Sequence, residues 1–290
     1  NGIIMTNEIA TWREISEASR ALAKRFDRDK FLKTVFKGCI KVGKSKSNPI
    51  RGNFVAAGLR EAIGHIIHKL SPDEDVRACV WFVQAPDTDT VTRRQRANYI
   101  IKAGLSDQFV KDILKFEVKP HADELIEMVN ALNRSTHVRP NTILADGSKI
   151  RRIFSEVLDG INALLDAAEE SRDFIEEAVA GAMQTAVFEK MIGEAIQELD
   201  ELSTHTAIDH HWVDEIVVTD MDANTIYYEV TGSVVVELQY GSGSDVANDI
   251  GSRDTDEYPY EAEIELPISD PLTVAASDVR VKVDTSSFYI

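Results

Sequence analysis

The densest group of hydrogen-bonding side chains in this chain runs from Asn133 to Pro140. Cleaving RNA without a metal requires a base with a pKa near neutrality, a cation for the developing negative charge, and donors that hold the phosphate. His137 is the candidate base, because an imidazole titrates close to neutral pH. Arg134 or Arg139 would supply the cation, and Asn133 would hold the phosphate.

The same stretch also fits the end of a helix. Apolar residues between His121 and Leu132 recur at helical spacing, and the Asn, Ser and Thr side chains that follow could satisfy the free backbone groups of a helix C-terminus. His137 would then interact with the helix dipole, and Pro140 would end the turn. The sequence leaves open whether this stretch is a catalytic site, a contact site or only a helix end.

Charge divides the chain into two unlike parts. Residues 1–140 hold 24 Lys and Arg against 17 Asp and Glu, a balance of +7, whereas residues 141–290 hold 8 against 32, a balance of −24. A basic region is typical of proteins that meet phosphate, and an acidic region would be repelled by it. The alternative is that the two parts attract each other, within one chain or between subunits.

Basic residues before residue 140 are the candidates for contact with nucleic acid. They are Lys44, Lys46, Arg51, Arg93, Arg94, Arg96 and Arg134. The three arginines of residues 93–96 open a predicted helix, and guanidinium groups suit phosphate recognition better than ammonium groups do. They could equally pair with Asp87, Asp89 or the acidic residues of a neighbour.

Residues Gly38 to Ser45 match the phosphate-binding loop pattern Gly-x-x-x-x-Gly-Lys-Ser letter for letter. Such a loop needs a buried strand before it and a helix that begins at the Lys-Ser step. Here a lysine-rich helical pattern precedes the glycines, and Pro49 interrupts any helix that begins at Lys44. We therefore expect a flexible basic loop and no nucleotide hydrolysis.

Arg60 lies within a strong helical pattern that extends from Gly52 to Leu70, with Asn53 as its candidate cap. Because its neighbours are apolar, Arg60 must either extend its guanidinium to solvent or meet a partner in a cleft. His65 and His68 are the other polar exceptions on this helix. We interpret them as histidines at its rim and not as metal ligands.

The pattern of apolar residues predicts an α+β fold. Residues 1–203 form a helical domain, basic to about residue 140, and residues 204–290 form an acidic antiparallel β domain of about five strands. Helical patterns over 148–170 and 171–202 predict either an antiparallel pair or one extended rod, and the apolar stripe of the second invites dimerisation. The histidines of residues 205–211 are expected in a polar linker.

A second nuclease hypothesis concerns the β domain. Restriction-type nucleases hold magnesium with an Asp followed, after a hairpin, by Glu-x-Lys or Glu-x-Gln, and Asp220 or Asp222 followed by Glu237-Leu-Gln239 imitates this order. Carboxylates alternate along every strand of the domain, so such a match is expected by chance. We favour a solvated acidic face, and no metal or other cofactor is predicted.

Two family resemblances follow from these residues. A long helix carrying Arg60, further helices, and Asn133-x-x-x-His137 together resemble the helical HEPN superfamily of prokaryotic defence and toxin systems, which implies metal-independent RNA cleavage at a dimer interface. In this superfamily an arginine precedes the histidine by four to six residues, but no arginine precedes His137 at that spacing, and Arg134 and Arg139 are misplaced. The chain is also similar to predicted nucleases associated with prokaryotic PIWI-type defence systems, through Ser-Thr-His-Val-Arg at 135–139 and Val-Glu-Leu-Gln-Tyr-Gly at 236–241.

These observations predict a nucleic-acid-binding component of a prokaryotic antiviral defence system, acting on RNA through His137, Asn133, Arg139 and Arg60. The alternative is a non-catalytic partner, inhibitor or scaffold with an acidic docking domain. We expect RNA to contact the basic N-terminal half, and a protein partner or a second copy to contact the long helix and β domain. The apolar runs are too short to span a membrane and the N-terminus does not resemble a signal peptide, so we expect a cytoplasmic protein.

Overall fold

The computed structural model describes residues 9–289 of the chain. The fold is α+β. Its α-helices, in chain order, are α1 (Trp12–Lys24), α2 (Lys30–Lys44), α3 (Arg51–Leu70), α4 (Asp73–Ala78), α5 (Arg93–Lys102), α6 (Asp107–Asp112), α7 (Val118–Thr136), α8 (Gly147–Gly193), α9 (Gln197–Asp200) and α10 (Gly243–Ala247). The strands are β1 (His205–Met221), β2 (Thr225–Tyr240), β3 (Ser252–Pro267) and β4 (Val279–Val283). No helix in residues 9–289 is both long and apolar enough to cross a membrane.

The described chain forms two compact units. The first comprises residues 9–77, 82–102 and 117–169, and the second comprises residues 78–81, 103–116 and 170–289. In the first unit, α3 carries the central apolar face, with Leu59, Ile63 and Ile66 fully buried. In the second unit, the sheet buries alternate residues of β2 and β3, among them Tyr258 and Tyr260.

Local capping accounts for several helix ends. The Asp29 carboxylate accepts hydrogen bonds from the backbone amides of Phe31 (2.9 Å) and Leu32 (3.1 Å), and so caps the N-terminus of α2. A further hydrogen bond from His65 holds the pKa of Asp29 well below its usual range. The Asn53 cap prediction is wrong, because α3 already begins at Arg51 and the Asn53 side chain bonds elsewhere.

The phosphate-loop pattern falls on a helix. Gly38 and Gly43 both lie within α2, which continues to Lys44, so the predicted loop is wrong up to Lys44 and the helix ends only at Ser45. Backbone amides inside a helix are bonded to preceding carbonyls and cannot surround a phosphate. This geometry excludes the phosphate-binding loop. Gly43 has a packing role instead, since a Cβ there would lie 2.3 Å from the Trp12 ring.

The helical patterns over 148–170 and 171–202 belong largely to one helix. Helix α8 runs unbroken for 47 residues, which corresponds to about 70 Å at the usual rise per residue. Of the two alternatives, the extended rod is correct. Glu169 and Glu170, which separate the two patterns, are good helix formers, so nothing at that point ends the helix.

The sheet of the described chain is antiparallel with strand order β1-β2-β3-β4. The sequence pattern predicts separate strands over 225–230 and 233–240 among its five, but these two predicted strands are one continuous strand, β2, so the sheet of the described residues has four. The prediction of a polar linker at residues 205–211 is wrong, because these residues begin β1 and pair with the end of β2. Gly232 lies where the two predicted strands meet. A Cβ there would lie 2.2 Å from the Trp212 carbonyl oxygen and 2.5 Å from the Tyr260 hydroxyl.

Replacing Gly232 by alanine should lower the free energy of unfolding by about 1–3 kcal/mol, because overpacking against a backbone carbonyl forces the strands apart. Denaturant titration of the full chain measures this. Gly181→Ala is the matched control, since a Cβ at this helical position meets no atom within 4 Å. The control should be neutral or stabilising. Equal losses in both variants would contradict the packing role of Gly232.

Candidate nucleic-acid interface

Helices α3, α5 and α7 border an open cleft of about 720 Å³ in the first unit. Arg60, Gly64 and His68 line it from α3, where their spacing of four residues places them on one face. Arg93, Arg94 and Arg96 line it from α5, Ile126, Val129 and Asn130 line it from α7, and Thr90 and Thr92 lie at its edge. The cleft therefore combines an apolar floor with a cationic rim.

The arginines at the cleft differ in how they are paired. Arg93 is exposed and its side chain has no ion pair within residues 9–289. Arg94 pairs with Asp123 at 2.6 Å, and Arg60 pairs with its neighbour Glu61 at 2.7 Å. These two pairs are substantially exposed, so an incoming phosphate can compete for both guanidinium groups. The lining residues include four arginines against two carboxylates, which leaves the cleft cationic.

Arg96 has a structural role. Its side chain is only 3% exposed, and it forms an ion pair with Asp73 and donates to the Ser71 carbonyl. The same ion pair lowers the pKa of the Asp73 carboxyl. A buried guanidinium that already holds the end of α3 to the start of α4 is not available to a ligand. We therefore assign Arg96 to the support of the cleft and not to contact with nucleic acid.

His68 is the titratable base in this cleft. Partial burial, followed by the positive charge of Arg96, lowers its pKa below the ordinary 6.5 against an opposing effect of Asp73, so the neutral imidazole predominates at pH 7. No hydrogen bond occupies its ring within the described residues. His65, by contrast, bonds to Asp29 at 3.0 Å and packs against the Phe31 ring. The two histidines therefore differ, and the eight-residue spacing from Arg60 to His68 is the sequence signal that places His68 on the face of Arg60.

The Asn133–Pro140 stretch ends α7 and is not part of the cleft lining. Its groups bond locally: the Thr136 hydroxyl donates to the Asn133 carbonyl at 2.9 Å, and the Thr142 hydroxyl donates to the His137 carbonyl. The His137 and Arg139 side chains are exposed. The structure therefore separates Arg60, which lines the cleft, from the other three residues predicted to be catalytic.

Asn53 organises the segment that follows α7. It is 2% exposed, and its side-chain amide donates to the carbonyls of Ser135 (2.7 Å) and Thr142 (2.8 Å) and accepts from the Leu144 amide (3.1 Å). This network connects α3 to the segment between α7 and α8. Arg51, two residues earlier, is also buried and donates to the Ala145 carbonyl at 2.8 Å. We therefore assign Arg51 a structural role as well.

The other predicted contact residues are exposed. Lys44 is the last residue of α2, Lys46 lies in the turn that follows, and Arg134 lies in the last turn of α7. None of the three forms an ion pair with another described residue. They are available to a ligand, but they are not among the residues that line the cleft.

The geometry excludes the restriction-type site in the β domain. Strand register places Asp220 opposite Tyr227, whereas Glu237 lies opposite Ala207. Ten residues of β2 separate Tyr227 from Glu237, about 33 Å along an extended strand, so one metal cannot bind both carboxylates. Asp222 caps the turn into β2, accepting from the amides of residues 224 and 225. Within residues 9–289, no group of three or more His, Cys, Asp or Glu could hold a metal.

Models of known protein families show to which family this chain belongs. A family model described as predicted pPIWI-associating nuclease matches residues 23–161, and a second model with the same description matches residues 168–289. The chain belongs to the predicted pPIWI-associating nucleases. This confirms the resemblance inferred from residues 135–139 and 236–241. No curated protein and no solved structure matches the chain.

The two matched regions divide the features of this chain between them. The first includes the whole arginine-lined cleft as well as Asn133 and His137, and the second includes the sheet. Both descriptions name a predicted nuclease. The question for the cleft is therefore whether its residues can bind and cleave a phosphodiester. The resemblance to the HEPN superfamily stays a prediction.

Proposed function

We propose that this pPIWI-associating nuclease binds RNA by placing a phosphodiester in the cleft between α3, α5 and α7. The observation that carries the proposal is the convergence of Arg60, Arg93 and Arg94 on one open cleft. Guanidinium groups match the geometry of phosphate oxygens. Arg93, exposed and without an ion pair among the described residues, is the first contact expected.

The chemistry that fits these groups is cleavage of RNA by its own 2′-hydroxyl. His68, neutral at pH 7, accepts the 2′-hydroxyl proton as the oxygen attacks phosphorus. The bond from phosphorus to the 5′-oxygen breaks, solvent protonates that oxygen, and a 2′,3′-cyclic phosphate remains. Arg60 and Arg93 stabilise the negative charge that develops on the phosphorane oxygens.

A second candidate site is the exposed end of α7. The His137 and Arg139 side chains face solvent with no hydrogen bond or ion pair among the described residues, and Asn133 precedes them by one turn. In this alternative His137 is the base and Arg139 the cation. Paired substitutions of His68 and His137 separate the two sites.

A non-catalytic function is the competing proposal, supported by the outer face of the sheet. Alternate residues of β3 expose Glu257, Glu261, Glu263 and Glu265, while Arg280 pairs with the last two. An acidic face of this kind suits a basic protein partner. Tight protein binding combined with no cleavage of RNA or DNA would favour it.

Binding of a single-stranded RNA oligonucleotide, measured by fluorescence anisotropy at fixed salt, tests the cleft. The double variant Arg60→Ala/Arg93→Ala should bind roughly 10- to 100-fold more weakly, because it loses two charge-assisted contacts. Arg20→Ala/Arg152→Ala removes the same charge from exposed positions that do not line the cleft and is the control. Equal weakening in both variants would show that only net charge matters and would overturn the proposal.

A further inference from the structure

Helix α2 carries an unusual distribution of charge. Its 15 residues contain five lysines and neither Asp nor Glu. The lysines, all exposed, are Lys30, Lys33, Lys37, Lys41 and Lys44. Their spacings of three or four residues place all five along one face of the helix, and we call this set the lysine row. From Lys30 to Lys44 it spans all 15 residues of the helix, a rise of about 21 Å.

The lysine row weakens the helix that bears it. Like charges four residues apart repel, as Lys33, Lys37 and Lys41 must, and a lysine in the first turn opposes the helix dipole. Helices elsewhere in the chain neutralise such charges, for example through Arg13 with Glu17 (3.0 Å) and Lys190 with Glu194 (2.6 Å). No member of the lysine row has an ion pair within residues 9–289. The lysine row therefore does not stabilise the fold.

The rest of α2 holds the lysine row rigidly. Its opposite face is buried through Leu32, Phe36, Cys39 and Gly43, and Phe36 packs against the Phe154 ring. Asp29 caps its N-terminus. A helix anchored at this face and this end presents its cations in a fixed straight line, which lowers the entropy lost when they bind a regular array of charges.

We propose that the lysine row binds the phosphate backbone of a double-stranded nucleic acid. This inference rests on the proposed nucleic-acid function and adds a surface that lies outside the cleft. A row of about 21 Å extends along roughly six base pairs at the rise of a duplex. Lysine acts on phosphate as a point charge without base recognition, so the contact is independent of sequence.

The residues between the lysines favour a duplex over a single strand. The exposed positions of α2 between the lysines are Phe31, Thr34 and Gly38, and a Cβ at Gly38 would meet no atom within 4 Å. Proteins that bind single strands stack the bases on aromatic side chains. Phe31 is the exposed aromatic residue of α2, and its ring already packs against the His65 ring, with 4.6 Å between the ring centroids. The exposed face of α2 suits the outside of a duplex, where only phosphate and sugar are presented.

The test measures how duplex binding by the full chain depends on salt. The triple variant Lys33→Gln/Lys37→Gln/Lys41→Gln should bind a duplex of about 20 base pairs roughly 10- to 100-fold more weakly. The slope of log affinity against log salt should also be shallower by about 3, because each lost phosphate contact contributes about 0.9 to that slope. The matched control is Lys111→Gln/Lys115→Gln/Lys282→Gln, which changes the net charge equally at exposed positions outside α2. The control should keep the wild-type slope.

Each result distinguishes this inference from the proposed cleft function. Suppose that the wild-type chain binds single-stranded RNA through the cleft, but that the lysine-row variant and its control bind the duplex with equal slopes of log affinity against log salt. The inference about the lysine row is then overturned, and the proposed function of the cleft stands. If duplex binding depends on the lysine row but single-stranded RNA binding is unaffected by the Arg60/Arg93 variant, the cleft fails alone. If the lysine variant instead dissociates an oligomer in light scattering without changing duplex binding, the row contacts the acidic sheet of a second copy and the inference is wrong.

Discussion

Replacing His68 by asparagine should lower the rate of RNA cleavage by about 10²- to 10⁴-fold, the usual contribution of a general base. His68 is the neutral imidazole in a cleft lined by Arg60 and Arg93, so it can accept a proton where these cations hold the phosphate. Asparagine keeps a polar side chain but cannot titrate. Affinity for the RNA should change little, because the arginines supply the binding. Single-turnover cleavage and anisotropy with the same oligonucleotide measure both quantities.

The matched variant is His137→Asn at the end of α7. If the cleft is the active site, this exposed substitution should leave the cleavage rate within a few-fold of wild type. The opposite pattern, in which cleavage is lost only in His137→Asn, would move the site to the Asn133–Arg139 cluster. Loss of cleavage after addition of EDTA to the wild-type chain would contradict the metal-independent mechanism for both.

The rate of cleavage should also depend on pH in a defined direction. A base is active when unprotonated, and the pKa of His68 lies below its ordinary value of 6.5. The rate should therefore rise with pH through a midpoint below 6.5 and then level off. His68→Asn should remove this acidic limb. A limb that persists in His68→Asn would assign the titration to another group.

Replacing Asn53 by alanine should lower the free energy of unfolding by about 3–5 kcal/mol. The substitution leaves the carbonyls of Ser135 and Thr142 and the amide of Leu144 without their partner, and each unsatisfied buried group costs about 1–3 kcal/mol unless water reaches it. Denaturant titration measures the loss. A segment freed between α7 and α8 should also exchange its amide hydrogens faster.

Asn141→Ala is the control for this prediction. Asn141 lies in the same segment but is exposed, so its replacement should change the free energy of unfolding by less than about 0.5 kcal/mol. A loss below about 1 kcal/mol in Asn53→Ala would show that the segment is held by other contacts. Local hydrogen exchange would then be the same in both variants.

Periodicity and capping chemistry are sufficient to predict most of the secondary structure here. Apolar residues at helical spacing indicate α3 and α7, the carboxylate of Asp29 and the hydroxyl of Ser106 mark helix starts, and alternation indicates β3. These signals depend on residues within one or two turns of each other, so the sequence contains them in full. The same local information predicts the α+β class and the resemblance to the nuclease family.

The tertiary structure alone decides which residues line the cleft. Arg60, Arg93 and Asn130 come from three separate helices, and only the packing of α3, α5 and α7 brings them to one cleft. Likewise, Asn53 resembles a helix cap in the sequence, but its partners lie more than eighty residues away. Arg96 resembles its neighbours Arg93 and Arg94, yet packing buries it against Asp73. Whether a charged or polar side chain is paired, buried or free is set by residues distant in the chain, and local patterns contain no information about them.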